Sequence, residues 1–141
     1  MIVLDTNVVS ALMQRQPVSA VIDWLDRQPS SSLWTTSITV FEVHHGIERL
    51  PRGRRRDALR SAFEGMITDD LSGRVLEFDV PAAAEAARIS GALDACGRPV
   101  DIRDVLIAGV VSSRRGALAT RNARHFEGTG IALLDPWAPA G

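Results

Sequence analysis

Residues 2–9 read IVLDTNVV, and the fold turns on how that stretch is understood. Three apolar residues, Ile2, Val3 and Leu4, run into Asp5, Thr6 and Asn7, after which apolar residues resume. The first run is too short to be a helix before its polar stop, so it reads as a buried strand that ends on a carboxylate. The residues after it, 7–14, fit a short helix ended by Pro17. A strand that turns straight into a helix is the opening unit of a parallel α/β layer fold.

The rest of the chain repeats that alternation. Residues 18–28 place Val18, Val21, Ile22 and Leu25 at helical spacing, and LWT at 33–35 is a second strand. In the segment that follows, Val40, Val43, Ile47 and Leu50 recur at 3, 4 and 3 residues, an amphipathic helix ended by Pro51. Residues 53–68 form a further helix with a strongly basic first turn, and VLEF at 75–78 is a strand candidate. The Ala-rich segment from Pro81 to Gly97 has proline at its start and glycine just past its end, the expected asymmetry of a helix. Residues 101–116 read as a helix capped by Asp101 and stopped by Gly116, and ALAT at 117–120 and IALL at 131–134 close the list of strands. Strands alternating with helices imply an α/β/α sandwich around a mostly parallel sheet, in a single domain over 1–141.

Composition narrows the chemistry. Acids and bases nearly cancel at net charge −1, which excludes a basic nucleic-acid coat and a disordered acidic tail. All 16 basic residues are arginine. A chain without lysine has no Schiff-base, P-loop or general-base lysine, so phosphate contacts fall to arginine, backbone N–H groups or a metal. Cys96 is the only cysteine, which excludes an internal disulfide and a thiolate metal cluster. The N-terminus lacks the basic and apolar regions of a signal peptide, and no apolar run approaches the ~20 residues that span a bilayer. A cytoplasmic protein with no membrane partner is the expectation.

In a parallel sheet the crevice lies beyond the carboxyl ends of the strands. Asp5 follows the first strand; Thr120, Arg121 and Asn122 follow ALAT; Glu42 and Asp104 sit in the first turns of their helices. Such positions can converge on one sheet edge. Clustered carboxylates repel unless a cation intervenes, and oxygen-only donors suit Mg²⁺ or Mn²⁺ rather than Zn²⁺. That chemistry points to hydrolysis of a phosphodiester. Helix capping is the competing reading: Asp5 can cap the helix that follows it, and Thr39 with Glu42 and Asp101 with Asp104 both fit capping boxes.

The motifs VLDTNVV, TTSITVFEVHHGIERL, DIRDVLIAGVV and LATRNARHFEGTGIALLDPW, in this order, resemble PIN-domain ribonucleases, and among them the VapC-type toxins of toxin–antitoxin pairs. The resemblance covers almost the whole chain. It implies a parallel α/β/α sandwich and a Mg²⁺-dependent ribonuclease. Asp5, Glu42 and Asp104 match the family's acidic residues, with Asp5 and Asp104 as the main metal anchors. Asn122 falls where a fourth acid often sits, and His125 stands where related toxins often have Asp. Thr6 and Thr120 would support the acids by hydrogen bonds, and Thr6, Thr120 and Arg121 are the candidate substrate contacts. The resemblance further implies an RNA substrate, a cognate VapB-type antitoxin and a homodimer. A non-catalytic PIN module that only binds RNA or antitoxin is the alternative. Aspartate-based phosphatases and receiver domains normally place a lysine beside the aspartate, and this chain has none.

Three other features have open readings. Arg49, Arg52, Arg54, Arg55, Arg56 and Arg60 lie within RLPRGRRRDALR, which is an RNA-phosphate patch, a docking surface for an acidic partner, or a solvated helix start. His44 and His45 are adjacent and so lack the i, i+4 spacing of a helical zinc site. Trp24 and Trp34 read as core or interface anchors.

Overall fold

A computed structural model describes residues 1–139; the last two positions of the expected domain, Ala140 and Gly141, lie outside the described residues. Five parallel strands, β1 (Ile2–Leu4), β2 (Leu33–Thr36), β3 (Val75–Leu76), β4 (Ala117–Ala119) and β5 (Ala132–Leu134), lie in the order β3-β2-β1-β4-β5. The α-helices are α1 (Thr6–Leu12), α2 (Ser19–Asp26), α3 (Ser37–Glu48), α4 (Arg54–Gly65), α5 (Val80–Ala95) and α6 (Ile102–Arg114). The expected α/β/α architecture is present.

The central strand explains why IVL is uninterrupted by polar residues. Successive strand side chains point to opposite faces, and a parallel strand covered on both faces is apolar at every position. Val3 joins Leu118 in a core against α5 and α6, whereas Leu4 joins Ala119 in a core with Val8, Val9, Val21, Ile47 and Phe63 from α1–α4. Trp34 packs against the first core and Trp24 against the second. The chain runs outward from β1 through β2 to β3, then returns to β4 on the other side of β1. The carboxyl ends of β1 and β4 therefore flank the point where the winding reverses, the place where an open α/β sheet leaves a crevice.

Two helices are pressed together beneath that crevice. At Gly109 of α6 an added Cβ would stand 2.6 Å from the Ala82 carbonyl oxygen and from the Ala86 Cβ of α5. Only glycine allows this approach, which sets the depth at which α6 presents its first turn. Among the described residues no helix is long and apolar enough to cross a membrane.

Several local boundaries differ from expectation. The VLEF strand stops at Leu76, because the Phe78 N–H turns to the Ser37 hydroxyl (3.1 Å) and Asp79 caps α5. The helix expected over 53–68 ends its α-helical part at Gly65 and continues as a π turn over Met66–Asp70. The expected Thr39–Glu42 capping box is not formed: the N-cap of α3 is Thr36, whose hydroxyl accepts from the Thr39 N–H at 3.1 Å. At the end of α6 it is Arg115, not Gly116, that takes the left-handed conformation (φ 55°). Gly116 instead fits against Met1, whose carbonyl oxygen an added Cβ would meet at 3.3 Å.

Candidate active site

Asp5 is the first residue past β1, and its backbone N–H continues the sheet by donating to the Ala119 carbonyl at 3.0 Å. That bond fixes the start of α1 against the end of β4. The carboxylate is 5 % exposed and is held from three directions. Oδ1 accepts from the Thr6 N–H at 2.8 Å, while Oδ2 accepts from the Thr120 hydroxyl at 2.8 Å and from the Asn7 amide at 3.4 Å. It does cap α1, as expected, but through the first N–H, and its other oxygen is given to β4.

Thr120 and Asn7 join the two strand ends. The Thr120 hydroxyl accepts from the Asn7 amide at 3.2 Å and from the Asn122 N–H at 3.0 Å, and the Asn7 carbonyl oxygen accepts from the Arg121 N–H at 3.2 Å. Asn122 thus enters the network through its backbone, and its exposed amide makes no hydrogen bond among the described residues. The Arg121 guanidinium lies over the Trp137 ring, 5.2 Å from its centroid.

Glu42, on α3, is reached by a chain of hydroxyls. The Thr36 hydroxyl donates to Thr39 (3.4 Å), the Thr39 hydroxyl meets that of Thr6 (3.1 Å), and Thr6 donates to Glu42 Oε1 (2.9 Å). Because Thr6 has one proton and gives it to Glu42, Thr39 is the donor to Thr6. The other Glu42 oxygen faces Arg103 at 3.6 Å, and Arg103 also binds Asp101 at 3.2 Å. Asp101 caps α6 by accepting from the Arg103 N–H at 2.8 Å. Asp104, one turn into that helix, is free of capping duty and faces His125 Nδ1 at 3.5 Å.

The electrostatics identify which acids crowd each other. Burial pushes the Asp5 carboxyl above its ordinary value, against the pull of the Thr120 hydroxyl and the Thr6 N–H. Burial also raises Glu42, opposed by Thr6 and Arg103. Asp104 is pushed from 3.8 to about 6, first by burial and then by the charge of Asp5, with His125 acting the other way. Asp5 weighs more heavily on Asp104 than Glu42 does, and Glu42 has its own counter-ion in Arg103.

Among the described residues no group of three or more His, Cys, Asp or Glu side chains is placed to hold a metal ion, so the expected ligands Asp5, Glu42 and Asp104 do not form a ready-made trio. Mg²⁺ does not require one: it keeps several waters and is commonly held by one or two carboxylates. Two crowded carboxylates of oxygen-only chemistry, one of them holding its proton to about pH 6, fit a small hard dication. A groove of about 920 Å³ is lined by Thr6 and Glu42 and by residues of α1, α3 and α4.

The sequence-derived residues Asp5, Thr6, Thr120, Glu42 and Asp104 are thus brought into one crevice. Asn7, Thr39, Arg103 and Trp137 were not anticipated. Asn7 had a signal in its place two residues after Asp5, and Arg103 in its place between two acids. Thr39 and Trp137 had none. The paired histidines are accounted for by ring packing, His45 stacked on Phe41 (5.6 Å) and His44 edge-on to Phe63 (5.2 Å).

Comparison with known proteins agrees with this fold. The model of the PIN domain family matches residues 2–131. The VapC ribonuclease Y4jK of Sinorhizobium fredii is 36 % identical over 140 residues, which cover 99 % of this chain and 100 % of that protein. The crystal structure of FitAcB from Neisseria gonorrhoeae superposes with a TM-score of 0.89 at 32 % identity, over 99 % of this chain and 100 % of that one. VapBC-5 from Mycobacterium tuberculosis, a member of the VapBC family of toxin–antitoxin systems, matches with a TM-score of 0.68 at 25 % identity, over 94 % and 96 % of the two chains.

Proposed function

The chain belongs to the PIN domain family and within it to the VapC-type ribonuclease toxins, and on that footing we propose that the Asp5–Asp104 pair is a Mg²⁺-dependent site for hydrolysing RNA phosphodiesters. The observation that carries the proposal is the meeting of the buried Asp5 with the half-buried Asp104, whose carboxyl is raised to about 6 by burial first and by the charge of Asp5 second. A helix cap alone gives no reason for it, because capping carboxylates are stabilised in their charged form.

Asp5 and Asp104 would hold the ion, Mg²⁺ or Mn²⁺ in its place, with Glu42 completing the site. The ion would supply Lewis-acid activation of water and neutralise charge on the phosphoryl group. The protein's own contribution is rigidity and proton handling. The Thr6 N–H, the Thr120 hydroxyl and the Asn7 amide fix the Asp5 oxygens, so little reorganisation accompanies reaction. Glu42, aimed by Thr6 and Arg103, is the base that takes the proton of the attacking water. Water adds to phosphorus in line with O3′ as the P–O3′ bond breaks, and the departing O3′ takes a proton from solvent, leaving 5′-phosphate and 3′-hydroxyl ends. Asn122 and Arg121 stand at the rim, where they would meet the substrate, and His125 stands against Asp104.

The protein would act in the cytoplasm as a single-domain homodimer, restrained by a cognate VapB-type antitoxin. The similarity to a member of the VapBC toxin–antitoxin family supports that partner. The decisive experiment is cleavage of RNA by the purified protein with Mg²⁺, with EDTA, and as Asp5→Asn. Cleavage by wild type with Mg²⁺ should fall by ~10²–10³-fold in Asp5→Asn, the range that loss of a central electrostatic group costs. Equal cleavage by wild type and variant removes the assignment, and RNA bound without cleavage by either supports the binding-module alternative.

A further inference from the structure

The structure divides the arginine-rich segment into two sets. Arg56 and Arg60 both bind Glu48 at the end of α3, Arg60 at 3.1 Å, and Arg60 also approaches Asp57 at 3.5 Å. These two clamp α4 to α3 and are largely neutralised. Arg52, Arg54 and Arg55 are exposed and have no ion-pair partner among the described residues, and the same is true of Arg15 at the end of α1. In a chain of net charge −1 this is a marked local excess of positive charge.

Helix energetics do not account for it. α4 begins at Arg54 after the N-cap Gly53, with no side-chain cap, and a single acid, Asp57, lies in its first turn, whereas cations beside a helix N-terminus are electrostatically unfavourable. An anion at this position would relieve both. The place of the arginines relative to the acids is the independent observation. The groove lined by Thr6 and Glu42 is lined also by Arg15, Arg54 and Arg55, together with apolar residues that include Val43, Ile47 and Leu59. Beyond it, Arg52, Arg56 and Arg60 surround a second, smaller concavity of about 310 Å³.

Resting on the ribonuclease reading, we infer that this groove is the path of the RNA strand away from the cleavage site, with Arg54 and Arg55 gripping backbone phosphates beyond the one that is cut and Arg15 flanking them. A strand with its scissile phosphate at Asp5 and Asp104 must leave the crevice along some surface. This one is continuous with Thr6 and Glu42, carries unpaired guanidiniums at the phosphate-bearing side, and offers apolar area to the bases. The arginines act by position and charge and take no part in the chemistry.

The test is fluorescence-anisotropy binding of a labelled 12-nucleotide single-stranded RNA in EDTA, where no cleavage occurs, across a salt series. Arg54→Gln/Arg55→Gln should weaken binding at least 10-fold at 100 mM salt and flatten the slope of log K against log salt by about 1.4, the loss of two single-strand phosphate contacts. Arg27→Gln/Arg88→Gln, elsewhere on the surface, should leave affinity and slope unchanged. With Mg²⁺ present, the first variant should raise KM for the same RNA and hold kcat within about threefold. An unchanged slope in Arg54→Gln/Arg55→Gln overturns the inference while leaving the ribonuclease reading intact. Poly-L-glutamate bound as tightly as the RNA, and lost equally in that variant, overturns it in favour of an acidic protein partner. Wild type that neither binds nor cleaves RNA overturns both.

Discussion

The acidic crevice and the arginine rim of α4 are both charged, yet they are held in different ways. Asp5 is 5 % exposed and takes hydrogen bonds from residues of α1 and from the end of β4. Burial first, and the charge of Asp5 second, raise the Asp104 carboxyl to about 6. Arg52, Arg54 and Arg55 project into solvent from a helix end with no cap. Burying like charges together costs folding energy, so a rigid acidic pair is kept for what it binds. Exposed charges of one sign cost little, are screened within about 8–10 Å by ordinary salt, and govern attraction and its salt dependence. On the proposed reading the first region serves position and the second capture.

The contrast depends on a frame that keeps Asp104 in place, and the closest contact in that frame is Gly109 against α5. Gly109→Ala would drive a Cβ to 2.6 Å from Ala82 and Ala86 and part the two helices. A loss of about 3 kcal/mol in urea or guanidinium unfolding is expected, at the upper end of ordinary overpacking. Unchanged stability would show that α6 can shift freely and that its first turn is not rigidly placed.

A smaller effect is expected at Thr120. Thr120→Val keeps the shape but removes the donor to Asp5 and the acceptor for the Asn7 amide and the Asn122 N–H. It should lower stability by about 2 kcal/mol, the cost of leaving buried polar groups unpaired. It should also raise the Asp5 carboxyl further, because a hydrogen bond to its charged form is lost. Carbon-detected NMR titration of the Asp5 carboxyl would read this, and an unmoved titration would mean that Thr120 does not set its charge state.

The smallest change sharpens the other region. Glu48 is 60 % exposed at its side chain, so Glu48→Gln should cost less than about 1 kcal/mol. Freed from it, Arg56 and Arg60 should tighten RNA binding modestly in the salt series described above. Weaker RNA binding would indicate that the clamp orders the rim rather than masking it.

How far the sequence disclosed all this depended on the range of the interactions. β1 was legible because three apolar residues before Asp-Thr-Asn admit few alternatives, and α5 because Pro81 and Gly97 mark its ends. The meeting of Asp5 with Thr120, 115 positions apart, could be anticipated only from the rule that strand ends share an edge. The sequence places Glu42 in its helix but leaves a capping box with Thr39 open as the competing reading, because Thr36 and Thr39 offer the same hydroxyl and only the turn after β2 decides between them. The Thr39–Thr6–Glu42 chain, the Arg121–Trp137 stack and the division of the arginines by Glu48 arise from packing between distant elements, and no local pattern encodes them. The roles of the site residues in cleavage rest on the proposal and on the experiments above.

The central claim is that Asp5 and Asp104 are held in an unfavourable pair that a divalent cation relieves. Asp104 is raised from 3.8 to about 6 in the fold. Between those pH values the native state keeps a proton that the unfolded chain has released, so metal-free stability falls as pH rises through this window. The full penalty is present above about pH 6. Solvent screening of this half-buried group brings it to about 1–2 kcal/mol. Thermal unfolding of wild type and Asp104→Asn, with EDTA and with Mg²⁺ at pH 7.5, measures it directly. The expected result is that Asp104→Asn melts roughly 4–8 °C above wild type in EDTA, with the gap closing below pH 4. Mg²⁺ should then raise the wild type and leave the variant where it was. A variant that melts below wild type in EDTA, together with a wild type indifferent to Mg²⁺, would contradict the account and return Asp104 to an ordinary residue of a helix start.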